Sequence, residues 1–142
     1  MPTEVNHHQF EMLMQALARA WGEQDTGAAV ACFTPDAVYM EPPDIQLYTG
    51  HDQLRTYFGA LEKGTYLTYH NLWFDEVKQV GCVEFSFGVS GQASADHGII
   101  IIELQNGLIA VWREYVRKGP SDFQAFIARD GKNWQWHIGN YP

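Results

Sequence analysis

Positive charge is scarce in this chain. Nine lysines and arginines stand against seventeen aspartates and glutamates, for a formal net charge of −8. The basic residues are scattered, and their one adjacent pair is Arg117-Lys118. Nucleic-acid binding needs clustered cations to displace counterions from phosphate, and anionic membrane surfaces ask for the same. Neither partner is expected. Cysteine is nearly as scarce: Cys32 and Cys82 form no C-x-x-C pair and read as reduced structural thiols of a cytoplasmic protein. Apolar runs such as Ile99–Ile102 fall far short of the roughly 20 residues that span a bilayer. The opening Met1-Pro2-Thr3-Glu4 lacks the basic and apolar regions of a signal peptide. No Gly-rich phosphate loop and no G-x-S-x-G elbow occurs. The six histidines, at 7, 8, 51, 70, 97 and 137, show neither helical i, i+4 nor H-x-H spacing. No metal and no cofactor is therefore expected.

What the chain does have is apolar and aromatic mass. Its 142 residues are 46% hydrophobic and 14% aromatic. That length suits one domain spanning 1–142 with a self-sufficient core. The aromatic surplus fits either large core fillers or the lining of a small-molecule pocket.

The first half has a helical period. Phe10, Leu13, Met14, Leu17 and Trp21 form one stripe, with Asn6 as N-cap. A short helix is expected over Gly27–Phe33, capped by Asp25 or Thr26 and stopped by Pro35. Val38–Met40 reads as a short strand, followed by a loop from Pro42 to Tyr48. A third helix carries Leu54, Tyr57, Phe58 and Leu61 at i, i+3, i+4, i+7 and closes at Gly64.

From Tyr66 the period becomes two. Strands are expected over Thr65–Lys78, with a turn at Gly81, then over Val83–Val89, His97–Gln105 and Leu108–Lys118. Asn106-Gly107 is the hairpin turn between the last two. Phe123, Phe126 and Ile127 suggest a helical turn, and Trp134, Trp136 and Ile138 a final strand. Helices packed on one face of a curved antiparallel sheet satisfy both periods, giving an α+β fold with a cavity at its open end.

Several stretches support a resemblance. Phe33-Thr34-Pro35-Asp36-Ala37-Val38-Tyr39, Gly50-His51-Asp52-Gln53-Leu54, Asn106-Gly107-Leu108-Ile109 and Trp112-Arg113-Glu114-Tyr115 together resemble motifs of the nuclear transport factor 2-like and SnoaL-like superfamily, also called cystatin-like. The resemblance covers roughly Gln9 to Lys118. It implies a cone-shaped curved antiparallel sheet on three N-terminal helices. The superfamily holds isomerases, cyclases, dehydratases, epoxide hydrolases and binding modules, so fold alone does not give the chemistry.

Two enzyme branches of the superfamily differ in how far their residues match this chain. Where ketosteroid isomerases carry a Tyr and an acidic donor, this chain has Leu17 and Ile100. Limonene epoxide hydrolases are the closer match. Their Tyr corresponds to Tyr39, their Asn position to Glu41, and their two Asp positions to Glu114 and, within one residue, Glu84. Their Arg falls at Cys82, which cannot donate as a cation does. The resemblance thus implies a catalytic set of two carboxylates, Glu114 and Glu84, with the Tyr39 hydroxyl. Substrate contacts are expected from Trp21, Glu41, Tyr48, Phe58, Trp73 and Trp112, with Trp136 as an additional member. Clustered carboxylates repel, so at least one pKa should rise.

His97 is expected to be a hydrogen-bonded strand histidine, because Asp96 beside it points to the opposite face. Two functional classes stay open. One is a cofactor-independent enzyme using carboxylate acid–base chemistry on a small hydrophobic substrate, as an isomerase, cyclase, dehydratase or hydrolase. The other is a non-catalytic binding or dimerisation module. Glu84 and Glu114 facing inward would favour the enzyme. The resemblance further implies a homodimer through the outer sheet face, to which Val83, Phe85, Phe87 and Val89 are candidates alongside Arg113, Tyr115 and Arg117. Its interface should be of standard size, roughly 1,600 Å².

Overall fold

The computed structural model describes residues 3–130, 134 and 139. In chain order its elements are α1 (His7–Gly22), α2 (Thr26–Ala31), β1 (Phe33–Glu41), β2 (Gln46–Thr49), α3 (Gly50–Gly59), β3 (Thr65–Asp75), β4 (Val80–Val89), β5 (Ser94–Gln105), β6 (Leu108–Pro120) and α4 (Phe123–Phe126). The expected final strand through Trp136 and Ile138 lies outside the described residues.

Helix α1 begins with a reciprocal capping box. Asn6 Oδ1 accepts from the Gln9 backbone N–H at 2.8 Å, and Gln9 Oε1 accepts from the Asn6 N–H at 2.9 Å. Its stripe Phe10, Met14, Leu17 and Trp21 is buried, with Leu13 half-buried beside it. Phe10 stacks on Phe74 with ring centroids 4.5 Å apart. The ring also lies against Gly81, where any Cβ would overlap it. Gly81 therefore sits inside β4 to admit Phe10 and does not mark a turn. The β3–β4 turn occupies residues 76–79, with Gln79 supplying the positive φ of 55°.

The six strands form one curved sheet in the order β2-β1-β6-β5-β4-β3. Every neighbouring pair is antiparallel except β1 and β6. That one parallel join departs from the wholly antiparallel expectation. The chain leaves β1 through β2, α3 and three more strands, and the long crossover brings β6 back beside it in the same direction. Helix α2 is shorter than expected because the backbone turns extended at Phe33 to pair with Ile109. Pro35 lies within β1, at the register shift between Phe33 and Val38, where a missing N–H costs no ladder bond. The expected loop after Pro42 instead folds back as β2, pairing Gln46 with Glu41 and Tyr48 with Tyr39. The β5–β6 turn is as expected: Asn106 and Gly107 both have positive φ, 54° and 78°.

Strand register fixes which residues share a face. Val83, Ile100 and Glu114 stand in one row, and Phe87, Asp96 and Lys118 in another, on the helix-covered face. Glu84, Ile99 and Tyr115 form a row on the opposite, outer face, as do Cys82, Ile101 and Arg113. Val83 and Phe85 are buried in the core and Phe87 packs against it, so these three do not belong to the outer face. Helix α4 covers one end of that outer face. There His97 Nδ1 lies 2.6 Å from Ser86 Oγ, whose other neighbour is His70 Nε2 at 2.6 Å, and His97 Nε2 lies 2.6 Å from the Pro120 carbonyl. Since a carbonyl only accepts, His97 donates from Nε2 to Pro120. Phe123 stacks on His70 and Phe126 on His97.

Candidate functional site

The site grows from the β1–β6 join. Tyr39 pairs with Trp112 in register. Their rings stack at 5.2 Å with planes 10° apart. Two residues further along, the same strand faces carry Glu41 and Glu114. Trp112 also meets Trp21 of α1, with centroids 5.8 Å apart, and Trp21 meets Phe87 of β4 edge-on at 5.7 Å. These groups enclose a cavity of about 150 Å³. Trp21, Phe85, Phe87 and Trp112 supply its apolar wall. Tyr39, Glu41, Gln46, Tyr57, Asp96 and Glu114 supply the polar one.

Glu114 is 7% exposed. Gln46 Nε2 donates to its Oε1 at 3.2 Å. Burial, and then the charge of Glu41, push its pKa up to about 7. The hydrogen-bond donors Tyr39, Trp112 and Gln46 oppose that rise. The Trp112 indole N–H faces the carboxyl without reaching full hydrogen-bonding geometry, and it is buried without a partner. Glu41 is itself raised, by burial and then by Asp96. Burial and Glu114 hold the Tyr39 hydroxyl well above its ordinary value and push Tyr57 up to about 12. Both phenols stay protonated and serve as donors. The arrangement can therefore hold or release one proton near neutral pH, beside two fixed O–H groups.

Five of the residues singled out from sequence come together here: Trp21, Tyr39, Glu41, Trp112 and Glu114. Glu84 does not. It stands on the outer face, where Asn71 Nδ2 donates to it at 2.8 Å, because period-two alternation puts Val83 and Phe85 inward. Trp73 pairs with Cys82 and is likewise on the outer face, 54% exposed. Tyr48 and Phe58 stand one layer behind the cavity: Tyr48 stacks on Tyr57 at 4.7 Å, and Phe58 packs against Trp21 and Phe33. The inward residues of β4 at this level, Val83, Phe85 and Phe87, are apolar, so the strand brings neither an Arg nor an Asp to the cavity.

Asp96, Gln46 and Tyr57 escaped the sequence reading. Asp96 was detectable, since it alternates with Ile100 and Ile102 on the buried face of β5. Tyr57 lay hidden in a helical stripe that reads as core. Gln46 reaches Glu114 only because β2 folds back, and no local pattern signals that. Among the described residues no group of three His, Cys, Asp or Glu could hold a metal ion, and no helix is long and apolar enough to cross a membrane.

No curated protein matches the sequence. Among solved structures the chain is similar to a protein of unknown function with a cystatin-like fold from Methylobium petroleophilum PM1. The two share 21% identity over 98% of this chain and 99% of that one, with a TM-score of 0.72. The epoxide hydrolase/cyclase-like enzyme SalBIII of pyran ring formation in salinomycin shares 16% identity over 81% and 98% of the two chains, TM-score 0.69. An LEH-like epoxide hydrolase from M. tuberculosis shares 17% over 78% and 84%, TM-score 0.65. At these identities the likeness is one of fold. The family profile described as a SnoaL-like domain matches residues 14–112, most of the chain, and the protein belongs to the SnoaL-like domain family.

Proposed function

We propose that this is a single-domain pocket protein acting as a cofactor-independent acid–base enzyme on a compact, largely apolar substrate, with Glu114 as the proton-transfer group. One observation carries the reading: a carboxyl 7% exposed, lining a cavity, with its pKa raised to about 7. A group titrating near the working pH is populated in both the accepting and the donating form. Tyr39 and Tyr57 donate toward charge that develops on the substrate, and the rings hold its apolar body. The carboxylate takes a proton from one substrate atom and returns it to another, or activates a water. This covers isomerase, cyclase, dehydratase and hydrolase chemistry. The epoxide hydrolase and cyclase-like neighbours are in keeping with that range.

Two features favour the second reading, a non-catalytic binder. The cavity's about 150 Å³ is below the 300–1,000 Å³ of most ligand pockets, and Glu84 contributes no second acid. The test is a panel of small lactones, enones and epoxides. On the enzyme reading, ligands that quench tryptophan fluorescence and raise Tm by mass action include one that turns over, and Glu114→Gln abolishes that turnover. Binding with no turnover across the panel selects the binder.

The outer face supports a homodimer. Trp73, Ile99 and Tyr115 are 54%, 40% and 49% exposed on it, a concentration of apolar surface that self-association would cover. Two free cysteines, Cys32 in the core and Cys82 on the outer face, fit a reducing cytoplasmic setting. Burial pushes the Cys32 thiol up to about 11.

A further inference from the structure

The cavity wall has three carboxylates and, among the described residues, no lysine or arginine. Glu41 from β1, Asp96 from β5 and Glu114 from β6 all line it. Among the described residues the cation paired with one of them is Lys118, 3.6 Å from Asp96, 70% exposed and outside the lining. Among the described residues the donors around Glu114 are neutral: Gln46 of β2 bonds it, Tyr39 of β1 stands beside it, and the Trp112 indole faces it without bonding. Tyr57 of α3 adds a further neutral hydroxyl. A buried carboxylate without a counter-charge is costly until a cation meets it.

The rest of the wall is aromatic. Trp21, Trp112, Tyr39 and Phe87 surround the acid, and a ring face attracts positive charge, most strongly when the cation is partly desolvated. Carboxylates and ring faces thus ask for the same ligand, a cation whose charge is spread over an apolar shell. The volume narrows it further. A cavity of about 150 Å³ takes one body the size of benzene, which leaves no room for an extended polyamine or an arginine-like chain. Resting on the pocket reading above, we propose that the cavity selects a compact alkyl-substituted ammonium group, with its charge toward Glu114 and its alkyl shell against the aromatic wall. Such a ligand competes with the Glu114 proton, so its affinity rises with pH through about 7.

Calorimetric titration of the full chain with tetramethylammonium chloride, against the neutral isostere tert-butanol at constant ionic strength, tests this. Tetramethylammonium should bind roughly tenfold or more tightly than tert-butanol at pH 8 and lose that advantage at pH 5.5. Glu114→Gln should abolish the preference. If that variant fails to fold, the pH dependence of the wild type decides. Equal binding of the two ligands overturns the cation proposal and leaves the pocket reading standing. Binding of neither overturns both. Tetramethylammonium binding that Glu114→Gln does not weaken puts the cation elsewhere and overturns the proposal.

Discussion

Glu84 and Glu114 stand on opposite faces of the sheet. The register runs from Glu84 through Ile99 to Tyr115, one residue out of step with Glu114. Glu84 is held by Asn71 at 2.8 Å, and Glu114 looks into the cavity. Glu84→Gln should therefore leave ligand binding, and any turnover, within about twofold of wild type. Glu114→Gln should remove turnover. Parallel assays of the two variants check this, and an equal loss in both would mean that the outer carboxylate takes part.

Stability should depend on pH in a defined direction. The Glu114 pKa rises on folding from the ordinary 4.5 to about 7. The folded state thus binds more protons than the unfolded one between those values, and stability falls as pH rises through that window. The penalty is complete above about pH 7 and on the order of 3 kcal/mol. Glu114→Gln keeps an acceptor for Gln46 and removes the charge. It should be more stable than wild type at pH 8, by about 2 kcal/mol, and no more stable at pH 4. Urea unfolding at the two pH values reads both differences.

The His70–Ser86–His97 chain under α4 should be structural. His97→Ala takes one of two partners from the Ser86 hydroxyl, removes the donor to the Pro120 carbonyl and removes the ring beneath Phe126. A loss of about 2–3 kcal/mol is expected. The cavity lies on the other face, so ligand affinity should be unchanged in the folded fraction. Thermal unfolding together with ligand titration separates the two effects.

The outer face should hold a second copy. Light scattering at micromolar concentration should give twice the 16.2 kDa chain mass. Ile99→Lys with Tyr115→Lys should halve it, because each lysine would be desolvated at the interface without a partner. A wild-type mass of one chain would sink the dimer.

Local periodicity made much of this fold legible. The α1 stripe through Phe10 and Trp21, the Asn6 cap and the Asn106-Gly107 turn all follow from neighbours within four residues. Alternation puts Trp112 and Glu114 on one face of their strand, and the family resemblance implies that this face is the inner one. What failed was non-local. Whether Val83 or Glu84 faces the helices depends on which side of β4 the helices occupy, and alternation alone leaves that open. Gln46 and Tyr57 approach Glu114 only through the β2 hairpin and the packing of α3. Gly81 reads as a turn residue unless the Phe10 ring from α1 is already known to lie on it.

At the centre of the site stands Glu114, a buried carboxyl lining a small cavity, its pKa raised to about 7. Carbon-detected NMR titration of its carboxyl carbon in the unliganded protein, assigned by its loss in Glu114→Gln, tests that most directly. A midpoint near pH 7 is expected. A midpoint at or below the ordinary 4.5 would show an ordinary ionised glutamate and contradict that expectation.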